Sequence, residues 1–195
     1  DAFNSQDYLR ALDAKNKAED ITRVLYPNDS TWDGKRLRIK QQYVLSSASL
    51  QDMIRTFKIA HGSDLSRFGE FYAVQLNDTH PAMSIPELIR LLMLEGMDFE
   101  QSFSIAQRTF SYTNHTVMAE ALEKWNVDIF KMTLPRIYQI VVEMNRRARE
   151  ELEKAFPGDE GKINYMALIG DNQVRMANIC AYTSHSINGV SKLHS

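Results

Sequence analysis

Apolar residues recur at helical intervals along most of this chain, broken by a few short runs in which they are contiguous. In residues 5–25, Leu9, Leu12, Ile21 and Val24 flank a polar middle, Lys15-Asn16-Lys17-Ala18-Glu19-Asp20, and Ser5 stands where a helix N-cap belongs. A helix with that middle is expected to stand partly in solvent or to pack on another subunit. Turn-forming residues crowd 26–34, and 35–60 then reads as a second helix burying Leu37, Val44, Leu45, Ala48, Met53 and Phe57. Residues 61–70 are loop-like. The run Phe71-Tyr72-Ala73-Val74-Gln75-Leu76 reads as a buried strand leading into Asn77-Asp78-Thr79-His80-Pro81.

Ser84 and Glu87, three residues apart, form the pattern of a capping box, with Met83 and Leu88 spaced for a hydrophobic staple; Asp98 and Gln101 repeat it for a helix of about ten residues. A second strand at 108–112 runs into Thr113-Asn114-His115. A long helix over 134–156 buries Ile137, Ile140, Val141, Met144, Ala148 and Leu152, stops at Pro157-Gly158 and turns its charges to solvent. A third apolar run, 174–181, ends before Thr183-Ser184-His185 and a helix-like 186–194. Three strands separated by helices predict an α/β fold, a layered sheet whose strands are parallel because the crossovers are long. Ligands of such sheets bind beyond the carboxyl ends of the strands, which points to Asp78, His80, His115 and His185.

Composition narrows the function classes. The 195 residues are 44% hydrophobic and 25% charged, enough for one globular unit with a sizeable core. Against 25 acidic residues stand 23 lysines and arginines, a formal charge of -2, so no basic field draws the chain to nucleic acid or to an anionic membrane surface. The single cysteine, Cys180, excludes an internal disulfide and suits a reducing cytosol. No signal peptide is visible and no apolar run approaches membrane-spanning length, so a soluble protein is expected. The chain opens at Asp1 and closes at Ser195 with no helix stop signal, which predicts a piece of a longer polypeptide.

The residues alone leave the chemistry open. His80, His115 and His185 with Asp78 would make acceptable zinc ligands, but their spacing matches no close-set ligand pattern, and strand-end histidines also serve simply to hold a loop. Cys180 lies in an apolar run and reads as a core residue. No Gly-x-Ser-x-Gly elbow occurs.

A resemblance goes further. Val24-Leu25-Tyr26-Pro27-Asn28-Asp29, Ser49-Leu50-Gln51-Asp52, Val74-Gln75-Leu76-Asn77-Asp78-Thr79-His80-Pro81, Ile85-Pro86-Glu87-Leu88, Tyr112-Thr113-Asn114-His115-Thr116-Val117 and Glu120-Ala121-Leu122-Glu123-Lys124-Trp125 resemble the glycogen, starch and maltodextrin phosphorylases. Leu134-Pro135-Arg136, Phe156-Pro157-Gly158-Asp159 and Ile187-Asn188-Gly189-Val190 continue the match in order from about residue 8 to the end. The resemblance implies a fragment of the amino-terminal domain of a glycosyltransferase-B fold, about a quarter of a cytoplasmic, homodimeric enzyme. That enzyme transfers a terminal glucosyl unit of an α-glucan to inorganic phosphate and uses pyridoxal phosphate.

Residue by residue, the resemblance puts His115 beside the transferred glucosyl unit, where it orients the sugar and supports an oxocarbenium-like transition state. Asp78, His80 and Asn114 fall along the glucose channel, although Asn77 and Asp78 equally suit a turn before the next helix. Residues 26–34, with Asn28, Asp29 and Ser30, resemble a mobile gate loop, and Arg38 a positive residue near it; Ser30 replaces an asparagine that meets the sugar in animal enzymes. Ala121 and Glu123 resemble an acceptor-side wall or, in the plainer reading, a helix start and a solvated charge. Residues 5–25 resemble the helix that meets the partner subunit. Arg55 falls where animal enzymes bind an activating nucleotide with two arginines, but Thr56 stands in for the second, so nucleotide activation is not expected. The lysine that anchors the cofactor belongs to the carboxyl-terminal domain, so the isolated fragment is expected to be inactive, leaving carbohydrate binding or dimerisation without catalysis as the alternative.

Overall fold

The computed structural model describes residues 4–25, 27–116 and 122–192. Two long helices open it: α1 (Tyr8–Arg23) and α2 (Trp32–His61). The Asp7 carboxylate caps α1 through the Arg10 N–H, two residues later than the expected Ser5 cap. No residue of α1 is buried, and Leu9 is 84% exposed. Loop-like 61–70 instead folds into a short 3-10 turn and α3 (Phe68–Phe71), after Gly62 ends α2 at a φ of 84°.

Strand β1 (Val74–Asn77) follows, then a 3-10 turn His80–Met83 and helices α4 (Ser84–Leu94) and α5 (Phe99–Thr109). Strand β2 (Phe110–Asn114) pairs in parallel with β1, Leu76 opposite Tyr112. Further on come β3 (Lys124–Asn126), α6 (Val127–Thr133), α7 (Pro135–Ala155), α8 (Glu160–Met166), β4 (Ile169–Gly170), β5 (Gln173–Arg175), α9 (Met176–Thr183) and β6 (Ile187–Gly189). The fold is therefore α/β: a small parallel sheet ordered β1-β2-β6 among many helices, with a second, antiparallel sheet, β3-β5-β4, that the sequence pattern does not announce. Expected Leu152 is only partly buried, but Ile137, Ile140, Val141, Met144 and Ala148 line the inner face of α7.

Two further segments differ in kind from expectation. The apolar run 174–181 is the end of β5 followed by α9, and Cys180 lies in that helix, fully buried. A short apolar run suits a buried helix as well as a strand, and only its partners decide. The third parallel strand is β6, inside the stretch that reads as helix; it forms because Asn188 and Gly189 continue the ladder from Thr113 and Asn114, and the Thr113 hydroxyl donates to the Asn188 side chain at 2.9 Å.

The expected stripe of α2 is rotated. Val44, Leu45 and Ala48 are exposed, Leu37 and Met53 are partly buried, and Ile39, Ser46, Ser47, Leu50, Ile54 and Phe57 face inward. The cause is a carboxylate in the core. Glu87 on α4 is wholly buried, accepting from the Ser47 hydroxyl at 2.6 Å and from the Arg90 guanidinium through two bonds of 2.7 Å. A buried charge must be paired and hydrogen-bonded, so α2 turns its serine face toward it.

The same contacts dissolve the Ser84 capping box. Met83 (φ -57°, ψ -22°) and Ser84 (φ -61°, ψ -31°) are already helical where the 3-10 turn flows into α4, so no side chain caps that end. Asp98 and Gln101 do form the reciprocal box at the start of α5. In urea denaturation, Ser84→Ala is expected to change stability by less than about 0.5 kcal/mol, whereas Asp98→Ala costs about 1 kcal/mol. Glu87→Ala, which strands Arg90 and Ser47, is expected to cost about 3 kcal/mol.

Candidate functional site

The carboxyl ends of β1 and β2 are tied together by one residue. The Asp78 N–H donates to the Thr113 carbonyl at 2.9 Å, and the Asp78 carboxylate accepts from the Thr79 N–H and the Thr116 hydroxyl, each at 2.8 Å. These bonds hold Asp78 at a φ of 65°, a conformation that a short polar side chain tolerates by bonding its own backbone. His80 opens the turn that follows.

Facing these strand ends is the first half of α2. The Thr31 hydroxyl caps the helix by accepting from the Gly34 N–H at 3.1 Å. The chain crosses so close to Gly34 that an added Cβ would lie 1.9 Å from the Asn28 carbonyl oxygen, so only glycine allows the crossing. Asp29 reaches back to Arg38 Nη1 at 3.1 Å, Arg38 Nη2 lies 3.3 Å from Glu123 Oε1, and the Gln42 side-chain amide donates to both Glu123 oxygens at 3.0 Å.

Between these walls is a cavity of about 490 Å³. Asp29, Arg38, Asp78, His80 and Glu123 all line it, so five of the candidate residues meet in one place. Its lining is mostly polar and carries three carboxylates, suited to accepting hydrogen bonds from a polyhydroxylated ligand. Burial pushes the Glu123 carboxyl above its ordinary range, against the opposing effects of the Gln42 amide and of the Arg38 and His80 charges. Glu123 is thus partly buried and paired, unlike the solvated charge that the plainer reading expects.

Other candidates lie beside the cavity or away from it. Asn28 is exposed and accepts from the Ser30 N–H at 2.9 Å within its own turn. Asn114 ends β2 and accepts from the Thr116 N–H at 2.9 Å; His115, next to it, is exposed and does not line the cavity. Arg55 is paired with Asp52 at 2.7 Å, about 25 Å along α2 from Arg38 at 1.5 Å per residue. Ala121 and Tyr26 fall outside the described residues. His185 precedes β6, and its N–H donates to the Phe110 carbonyl at the start of β2. It therefore sits at the amino ends of the strands, and the three-histidine zinc set is not assembled. Among the described residues no cluster of three histidine, cysteine or carboxylate side chains suits a metal, and no helix is long and apolar enough to cross a membrane.

Lys35, Thr116, Trp125 and Gln42 are not marked as candidates by the sequence pattern. The first three line the cavity, and Gln42 orients Glu123. Thr116 was within reach, being the next residue in the Asn-His-Thr motif. For Gln42 the only signal was its position four residues after Arg38, on the same helix face.

A family model described as carbohydrate phosphorylase matches residues 1–195. The chain belongs to the carbohydrate phosphorylase family. It is 47% identical over 199 residues to glycogen phosphorylase 2 of Dictyostelium discoideum, covering 100% of this chain and 20% of that protein. Against the human liver and muscle glycogen phosphorylases it is 43% and 44% identical over 204 residues, in each case 99% of this chain and 24% of the relative. The chain thus spans about a fifth to a quarter of the length of these relatives.

The raised Glu123 carboxyl carries a pH signature. A carboxyl that holds its proton more tightly folded than unfolded loses stabilising effect as pH climbs from the ordinary glutamate value of about 4.3 toward its folded value. Thermal denaturation is expected to show the wild type losing stability relative to Glu123→Gln as pH rises through that window. A relative gain would mean that the pairing with Arg38 and Gln42 outweighs burial.

Proposed function

We propose that this chain supplies the sugar-facing part of the amino-terminal lobe of an α-1,4-glucan phosphorylase, a cytoplasmic glycosyltransferase of the glycosyltransferase-B type. The observation that carries this reading is identity of 43–47% to glycogen phosphorylases across the whole chain, with the candidate sugar residues converging on one carboxylate-lined cavity. In the whole protein the substrates are a glucan and inorganic phosphate, and the product is glucose 1-phosphate.

In this reading the chain's own residues bind and orient. Asp78, His80 and Glu123 hydrogen-bond hydroxyls of the glucosyl unit or the neighbouring sugar, and Asp29 forms part of the same cavity wall. His115, at the exit of β2, holds the glucosyl unit so that positive charge developing at its anomeric carbon meets a fixed dipole. Helix α1, with no buried residue and with Leu9 and Leu12 exposed, is the homodimer contact. It would bury that apolar surface against its symmetry mate.

The cavity lining balances Asp29, Asp78 and Glu123 against Lys35, Arg38 and Lys124, so it presents no concentrated positive charge for a phosphate dianion. In this reading the family's pyridoxal phosphate is held by residues of the full-length protein outside this chain.

The test uses the full-length protein carrying this chain, supplied with maltoheptaose and inorganic phosphate. Glucose 1-phosphate is expected from the wild type, and His115→Ala is expected to lower turnover about 10- to 100-fold with cofactor absorbance unchanged. An unchanged rate, or loss of the cofactor signal, would contradict the role given to His115.

A further inference from the structure

We propose that Arg38 is a positioning residue: one guanidinium fixes both the 27–31 segment, through Asp29, and the orientation of Glu123 across the cavity. The consequence for sugar binding rests on the glucan reading above; the coupling itself does not.

The two contacts use different nitrogens of one planar fork, Nη1 to Asp29 at 3.1 Å and Nη2 to Glu123 at 3.3 Å. A rigid fork can hold two carboxylates in set directions at once, whereas a lysine ammonium offers a single point charge on a flexible stem. Arg38 is only 22% exposed at its side chain and Glu123 11%, so water screens this pairing less than it screens the ion pairs along α1. Gln42, one turn further along α2, donates to both oxygens of the same carboxylate. Glu123 is thus aimed by two α2 side chains four residues apart, although it lies 81 residues from Gln42 in sequence.

Thr31, at the end of the 27–31 segment, is bonded to α2 through its hydroxyl and carbonyl, from the Gly34 and Lys35 N–H groups, which leaves the part before it to be held. The Asn28 side chain bonds within the segment, and Gly34 permits the crossing without gripping it. Among the described residues, Asp29–Arg38 is the ion pair that joins this segment to the helix behind the cavity. A sugar hydroxyl that donates to Glu123 would compete with Arg38 Nη2 and turn the fork toward Asp29. Filling the cavity would therefore tighten the segment beside it.

Hydrogen exchange over peptides spanning 24–34, in the full-length protein carrying this chain, tests the coupling without relying on activity. Arg38→Lys and Asp29→Asn are each expected to speed exchange there about fivefold, the scale of one partly buried ion pair, and the double variant no further. Peptides from α4 and β2 should be unchanged, which shows that the fold persists. The same Arg38→Lys protein is expected to raise the KM for maltoheptaose severalfold and leave kcat nearly unchanged. Unaltered exchange in either single variant, or additive effects in the double, would overturn the coupling, and a loss confined to kcat would overturn its role in sugar binding. Absence of phosphorolysis in the wild type would sink the glucan reading, while the exchange result still decides the coupling.

Discussion

The tie between the carboxyl ends of β1 and β2 is the interaction on which the site depends. A parallel pair brings two strand exits side by side but does not fix the loops that leave them. Asp78 does so, giving its N–H to the Thr113 carbonyl and its carboxylate to Thr79 and Thr116. Because both loops then leave at a set distance, His80 and Thr116 face one space, and Glu123 can be brought against the far wall formed by α2. A left-handed aspartate is a local cost, tolerated because its own side chain bonds supply the compensation.

A second constraint acts from inside the core. The fully buried Glu87 carboxylate needs Ser47 and Arg90, and meeting that need sets the rotation of α2 against α4. The rotation in turn decides which residues of α2 serve the cavity: Arg38 lines it and Gln42 bonds Glu123 in its wall, while Val44 and Leu45 face outward. A polar interaction in the core and the geometry of the site are thus linked through one helix.

These two constraints also explain what could be read from the sequence. Parallel strands ending in polar loops, the α7 stripe and the Asp98 box were legible because they depend on local pattern. The face of α2 was not, since a hydrophobic count places Ser47 outside and only its bond to the distant Glu87 places it inside. Strand β6 was hidden because Asn188 and Gly189 become strand through pairing with Thr113 and Asn114, a contact with no local signature. At the cavity, motif resemblance had singled out Asp78, His80 and Glu123, whereas the bond between Gln42 and Glu123 spans 81 residues and is marked in the sequence only by the spacing of Gln42 from Arg38.

If the cavity between the strand exits and α2 is where a glucan's sugar units lie, the crystal structure of the full-length protein with maltopentaose bound shows it most directly. A glucose ring is expected in that cavity with its hydroxyls within hydrogen-bonding distance of Asp78, His80 or Glu123, and with Arg38 still bonded to Asp29. A sugar seated only elsewhere on the chain, with the cavity walls closed against one another, would contradict it.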